Sequence, residues 1–483
     1  MRSCAAASQQ RGGETDMSAN PKPPPGEARC PGAPNVQQVL RADGDGDRQP
    51  DSYKLDSYVF LGDDDIPYER YTSPEFHKLE MERLWPRVWQ WACREEHIPE
   101  PGDFYVYDIG PWSVIVTRTP SRQIKAYFNS CLHRGTKLKP SFSSGSAQQF
   151  SCPFHGWTWD LEGRMADLPC AWDFPHVDPR KASLPEVAVG LWGGFVFVNL
   201  DPNPVSFEEY IAPLPEHAKH AGYEQRYVAL HVQKELPANW KICFEAFVEA
   251  YHVAVTHPQL YCGNGDINTQ YDIFSDHVNR LYSLAGFPSP RLQRKVSEQE
   301  VLDNIVLGDR QHVGDDLTVP PGGTARHTMA AYFKKMLKAG GRDVDDRSTA
   351  EIIDTVNYTL FPNAQFFLAP SFPIVYRFRP LGMDHTKTLY DLLLLAPLPP
   401  GGERPEPYEA VRIKVEESYG KAPGVDPGLA EIFDQDTSNM GWMHEGMMAG
   451  RKRAGTLANY QEIRIRHLHR VIDKYLAKPP VVV

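Results

Sequence analysis

Cys131-Leu132-His133-Arg134-Gly135 and Cys152-Pro153-Phe154-His155-Gly156-Trp157 set two cysteines and two histidines in close pairs, with 18 residues between His133 and Cys152. Each pair falls where a run of β-branched and aromatic residues gives way to turn residues. The Cys and His of one pair can therefore share the tip of one hairpin. Two tips facing each other supply two thiolates and two imidazoles. That set suits a [2Fe–2S] centre with Cys₂ on one iron and His₂ on the other. It is also the ligand set of a mononuclear zinc site, because ligand type alone does not decide the metal. Gly156 supplies, directly after His155, a residue free to adopt φ > 0.

Working outward, residues 104–107, 113–117, 124–128 and 194–200 read as strands between Gly, Pro and Asp turns, and Pro202 and Pro204 mark the end of this β-rich unit. Upstream, Ser73-Pro74-Glu75 is a helix-start signal, continued by Phe76, Leu79 and Leu84 and stopped by Pro86. Residues 1–52, rich in Pro, Gly, Asp, Gln and Arg, are expected to form a disordered tail in which Cys4 and Cys30 do no chemistry. Downstream, helices and strands mix. A helix is expected over 239–255, strands near 356–360, 365–368, 374–379 and 386–395, and a closing helix over 458–476. The polar stretch 285–345 reads as an insertion. The expected division is thus a tail at 1–52, a segment at 53–102, a β-rich domain at 103–205 and a second domain at 206–483.

The expected helix carries a second cluster. Glu245, Glu249 and His252 fall at i, i+4 and i+7 and would share one face. Phe, Val and Ala frame that face, so it reads as buried, where charged groups need partners or a metal. His257 would point about 140° away from His252 in an unbroken helix. Pro258 disfavours the α region for the residue before it, so the helix can end near Val255 and let His257 swing back. The plainer alternative is one satisfied core histidine and one helix terminator.

Three stretches together resemble the Rieske-type non-haem iron oxygenases: the two Cys/His loops, the run Asn239-Trp240-Lys241…Glu245…Glu249-Ala250-Tyr251-His252…His257-Pro258, and Asp436-Thr437-Ser438-Asn439-Met440. The resemblance covers about residues 60–480. It implies an α+β protein with a Rieske β-sandwich domain and a helix-grip (START-like) catalytic domain whose antiparallel sheet surrounds a long helix, with 53–102 packing on the catalytic part. It implies that Cys131, His133, Cys152 and His155 bind the [2Fe–2S] cluster, and that His252, His257 and Asp436 bind a mononuclear Fe(II), with Asp434 as the alternative carboxylate. Glu249 would relay electrons from the cluster of one subunit to the iron of the next. Aspartate is the commoner relay in that family, and Ala246 departs from the Asn often found there. Respiratory Rieske proteins carry an extra cysteine in each loop, at positions that are here Thr136 and Phe154, so the resemblance is to the oxygenase and ferredoxin branch.

The function implied is the terminal oxygenase of a multicomponent system, hydroxylating an aromatic or other cyclic substrate with O₂. Its electrons would come from NAD(P)H through a separate reductase, and the subunits would form a homotrimer or an α₃β₃ ring. No Gly-rich nucleotide fingerprint appears in the sequence, in keeping with a separate donor. A formal charge of −11 disfavours nucleic acid. No apolar run is long enough to span a bilayer, and eight scattered cysteines suit the reducing cytoplasm. The rival readings are an electron carrier without oxygenase chemistry and a zinc-stabilised binding module.

Overall fold

The computed structural model describes residues 30, 32–305, 317–370, 374–399 and 404–481. Two sheet-based lobes make up the molecule, in line with the expected α+β class. The small lobe holds a seven-stranded antiparallel sheet in the spatial order Gln90–Arg94, Phe195–Asn199, Glu186–Trp192, Ile124–Phe128, Trp112–Arg118, Asp103–Ile109, Ser144–Ser146. A three-stranded sheet of Phe150–Ser151, Thr158–Trp159 and Met165–Asp167 faces it. Phe104, Val106, Ile115 and Tyr127 from the first sheet pack with Trp159 from the second and with Trp157 just before it. Successive side chains of a strand point to opposite faces, so these residues enter that core while Tyr107, Val114, Val116 and Ala126 of the same strands enter the larger core on the other side.

The large lobe is built on an eight-stranded sheet in the order Asn264–Ile273, Val278–Ala285, Thr355–Leu360, Ala364–Phe367, Ile374–Leu381, Asp384–Pro397, Arg226–Leu236, Val411–Ile413. Every pairing is antiparallel except the last, which is parallel. The closing helix Ile463–Leu476 lies on this sheet with Ile465, Leu468, Val471 and Ile472 buried. Residues 285–345, read from sequence as an insertion, form helices Glu298–Ile305 and Ala325–Ala339, followed by Thr349–Ile353, with a small core of their own around Val301, Leu302 and Met329.

Buried arginines stitch the lobes together. Asp391 accepts from Arg377 (2.9 Å), His231 (2.9 Å) and Gln233 (2.7 Å). Arg377 then reaches into the small lobe, donating to the carbonyls of Trp91 (2.5 Å) and Ala92 (3.0 Å) with its guanidinium 4.1 Å from the centroid of the Trp91 ring.

Three expectations are corrected. Residues 35–52 are no tail: Asn35 starts a helix at Val36–Asp43 with a capping box, and Val36, Val39 and Leu40 are buried. Asp43 pairs with Arg326 at 2.6 Å, and Arg280 donates to the carbonyls of Ser52 and Leu55. Averaging composition over 52 residues hid one short amphipathic helix. The rest of the expected tail, 1–29 and 31, lies outside the described residues, while Cys30 is half-buried. Secondly, the segment 53–102 is divided. Glu80 joins the large lobe through Lys241 (2.7 Å), but Gln90–Arg94 pairs with Phe195–Asn199 in the small-lobe sheet, ahead of the expected boundary at 103.

The third correction concerns the helix expected over 239–255. It is two pieces, Trp240–Glu245 and Val253–Thr256. Between them the Val248 carbonyl accepts from Arg464 (3.2 Å) and the Ala250 N–H donates to the Tyr271 hydroxyl (3.1 Å). Side chains from elsewhere take backbone groups that an intact helix would pair internally. The break also separates Glu245 from Glu249 and His252, with which it was expected to share one face.

Candidate metal centres

The first centre is a pair of matching turns. The Cys131 N–H donates to Thr136 O (2.9 Å) and the Gly135 N–H to Cys131 O (2.9 Å). The Cys152 N–H donates to Trp157 O (2.8 Å) and the Gly156 N–H to Cys152 O (3.1 Å). Gly135 and Gly156 occupy the same place in their turns at φ 76° and 78°, where a side chain would be strained. Two turns of one shape bring their ligand pairs together: the rings of His133 and His155 are 4.7 Å apart. Cys131 and Cys152 are buried free thiols within hydrogen-bonding reach of each other. Burial holds the Cys131 thiol above its ordinary value. At Cys152 burial acts the same way, but backbone N–H groups of His155 and Phe154 bring the thiol below it.

Trp157 stacks on His133 (5.1 Å between ring centres, 7° between planes), and Phe174 meets both rings edge-on. The Nδ1 atom of His133 is nevertheless buried without a hydrogen-bond partner. A buried ring nitrogen left unpaired beside two thiols is what a metal-bound imidazole looks like without its metal. The residues present therefore fit the two-cysteine, two-histidine cluster. Around them the surface is apolar, with Leu132, Phe154 and Trp172 exposed and Trp172 at 81 %.

The second centre brings together distant parts of the chain. His252 precedes the short helix Val253–Thr256, and His257 ends it at φ −122°, ψ 63°, outside the helical region as expected before Pro258. The two rings lie 5.4 Å apart. Helix Pro427–Ser438 carries Asp436 to them: Oδ1 is 2.7 Å from His257 Nε2 and 3.5 Å from His252 Nε2. One ligand atom from each of His252, His257 and Asp436 lies within 4.8 Å of the others. Two imidazoles and a carboxylate converging in this way match the facial set that leaves positions open on Fe(II). Asp434 faces elsewhere, accepting from the Ser418 hydroxyl (2.5 Å) and the Tyr419 N–H (3.1 Å).

Each imidazole is oriented through its other nitrogen. His252 Nδ1 is 2.6 Å from Glu249 Oε1, and the His252 N–H donates to Glu249 Oε2 (3.0 Å). His257 Nδ1 is 2.7 Å from Gln435 Oε1, which also accepts from the Gln259 amide (2.8 Å). Burial alone would lower His252, but Glu249 and Asp436 push it up to about 10. Burial would raise Asp436, but the two imidazoles hold it below the ordinary carboxylate range.

Glu245 is not part of this group. It is buried against the Tyr71 hydroxyl (3.0 and 3.2 Å) and His469 Nε2 (3.0 Å), and burial raises its carboxyl to about 8. Gln435 and Gln259 were not singled out in the sequence. The one signal for Gln435 is its position beside Asp436, and an amide in an acidic stretch carries no motif of its own.

Two family models match the chain: the ring-hydroxylating alpha subunit (catalytic domain) over residues 220–478, and the Rieske [2Fe-2S] domain over residues 88–178. The glycine betaine monooxygenase oxygenase subunit of Pseudomonas aeruginosa is 30% identical over 197 residues, 40% of this chain and 45% of that protein. The benzene 1,2-dioxygenase subunit alpha of Pseudomonas putida is 32% identical over 195 residues, 38% of this chain and 42% of that protein. These matches thus span less than half the length of either relative. The crystal structure of a quaternary ammonium Rieske monooxygenase with L-carnitine shares the fold, with a TM-score of 0.60 over 85% of this chain and 95% of that one at 17% identity.

Proposed function

Because the chain belongs to the family of ring-hydroxylating alpha subunits, with a Rieske domain ahead of its catalytic domain, we propose that it is the terminal oxygenase of a multicomponent system. Cys131, His133, Cys152 and His155 would hold a Rieske [2Fe–2S] cluster, and His252, His257 and Asp436 a mononuclear iron. When bound, the cluster supplies single electrons and the iron supplies open positions for O₂ beside the substrate. The observation that carries the reading is the convergence of His252, His257 and Asp436 in a chain that also carries the paired Cys/His turns.

The chain's own residues then have definite tasks. Glu249 and Gln435 hold the Nδ1 sides of His252 and His257, leaving both Nε2 atoms towards Asp436. Trp157 and Phe174 cover His133, while the exposed edge at His155 offers the cluster to a partner. Glu249 is the relay towards His252. The apolar rim of Leu132, Phe154 and Trp172 suits a neighbouring copy in a trimer, or in an α₃β₃ ring with a small subunit. Electrons would come from NAD(P)H through a reductase, with or without a ferredoxin. No helix among the described residues is long and apolar enough to cross a membrane, and the compartment we assign is the cytoplasm.

The substrate we assign is an aromatic or other cyclic compound, in keeping with a role in aromatic hydrocarbon catabolism, and the outcome is mono- or dioxygenation. Phe247, Tyr376 and Phe433 form an aromatic wall, and Asp436 lies near enough to add to the effect of burial in raising the Tyr376 phenol. The same π faces suit a quaternary ammonium group, a second reading favoured by the match to glycine betaine monooxygenase.

The test is metal and sulfide analysis, followed by oxygen uptake with a generic reductase on aromatic acids, polycyclic hydrocarbons and quaternary amines. Roughly three irons and two sulfides per chain are expected, with uptake on one substrate class. Iron and sulfide in the cluster alone would favour the electron carrier. Zinc without sulfide would leave only a binding module.

A further inference from the structure

We propose that Arg464 and Tyr271 are positioning residues that clamp the two peptide groups flanking Glu249 and thereby set the rate of electron transfer between the centres; this rests on the relay reading of Glu249. The starting point is an anomaly in the closing helix. Arg464 is 1 % exposed and forms no ion pair among the described residues. Its acceptors are all neutral: Asn279 Oδ1 (2.5 Å), Asn357 Oδ1 (3.0 Å), Thr359 Oγ1 (2.5 Å) and the Val248 carbonyl (3.2 Å). Burial brings its guanidinium down to about 9. A buried cation without a carboxylate is costly to hold, so its placement calls for an explanation beyond packing.

The fourth acceptor supplies one. The Val248 carbonyl belongs to the peptide group before Glu249. The Ala250 N–H, in the peptide group after Glu249, donates to the Tyr271 hydroxyl at 3.1 Å, and that hydroxyl donates to Gln461 Oε1 at 3.3 Å. Gln461 and Arg464 lie within one turn of each other at the start of the closing helix. Glu249 itself stands in the non-helical turn, where no internal ladder restrains it. Its backbone is therefore held from outside on both sides, while its carboxylate engages His252 twice. A bridging group works only while both its contacts are kept, and a displacement of about 1 Å can cost on the order of 100-fold in rate. The clamp keeps Glu249 placed without touching either metal ligand.

The test uses the full chain loaded with cluster and mononuclear iron, both oxidised. A ruthenium photosensitiser injects one electron into the cluster, and the decay of the reduced-cluster absorbance is followed as the electron moves on. A sample with zinc in place of the mononuclear iron gives the background. Tyr271→Phe and Arg464→Met should slow the decay by about tenfold or more, towards the Glu249→Gln rate. Amide hydrogen exchange at Ala250 should quicken, while metal content and cluster potential stay at wild-type values. Arg464→Lys, which keeps a donor for the Val248 carbonyl, should recover most of the rate. Wild-type decay in Tyr271→Phe and Arg464→Met, alongside a slow Glu249→Gln, would overturn the clamp and leave the relay standing. Wild-type decay in Glu249→Gln would remove the relay and the clamp together. If Arg464→Met does not load metal, Tyr271→Phe and Arg464→Lys decide the matter.

Discussion

The paired Cys/His turns and the His/His/Asp group are assembled in opposite ways. The first lies within residues 131–157, and each turn closes on its own backbone through the same two hydrogen bonds. The second joins His252 to an aspartate 184 positions later, and it depends on a broken helix, a second helix and an amide from the second, Gln435. A centre made of turns follows from short-range chemistry. A centre made of crossing elements follows from the packing of the whole large lobe, so its strength can be altered from far away.

The contrast can be broken most directly with His252→Ala. Oxygen uptake should fall to background while the electron paramagnetic resonance signal of the reduced cluster persists; loss of both would show that the two centres are not separable. A smaller effect is expected from Gln435→Ala, which frees His257 Nδ1. Iron affinity at the second centre should drop about 10- to 100-fold, with the cluster unchanged, as read by metal titration. Unchanged affinity would mean that the amide does not orient the imidazole.

The mildest test uses pH. Glu245 is raised by burial to about 8, above its ordinary value, so its protonated form is favoured in the folded state. Its contribution to stability is complete below the unfolded value near 4.5 and is lost as pH rises through about 8. Chemical denaturation of Glu245→Gln should therefore lose less stability than the wild type between pH 6 and 9. Parallel profiles would show that Glu245 is ionised throughout.

The sequence revealed most where the physics was local. The turn residues around Cys131 and Cys152, the strands of 356–395 to within about two positions, and the change of direction at Pro258 are all set by neighbours in the chain. The break at 246–252 was invisible because Arg464 and Tyr271 arrive from elsewhere to take its backbone groups. The helix at Val36–Asp43 was masked by its polar surroundings, though its Asn35 cap and three apolar positions were there to be seen. The separate roles of Asp434 and Asp436 depend on which face of one helix meets His257, and a motif two residues wide does not decide that.

The stitch between the lobes bears on transplantation. Arg377 is anchored to Asp391 on its own side and reaches across to main-chain oxygens of residues 91 and 92. Carbonyls are common to every polypeptide, so a chimera grafting a homologue's cluster-bearing lobe onto this chain would keep those two bonds wherever the edge strand retraces the same path, and the ring contact wherever an aromatic residue stands at position 91. Compatibility between donor and host then rests on the shape of the strand at the crossover and on that one side chain.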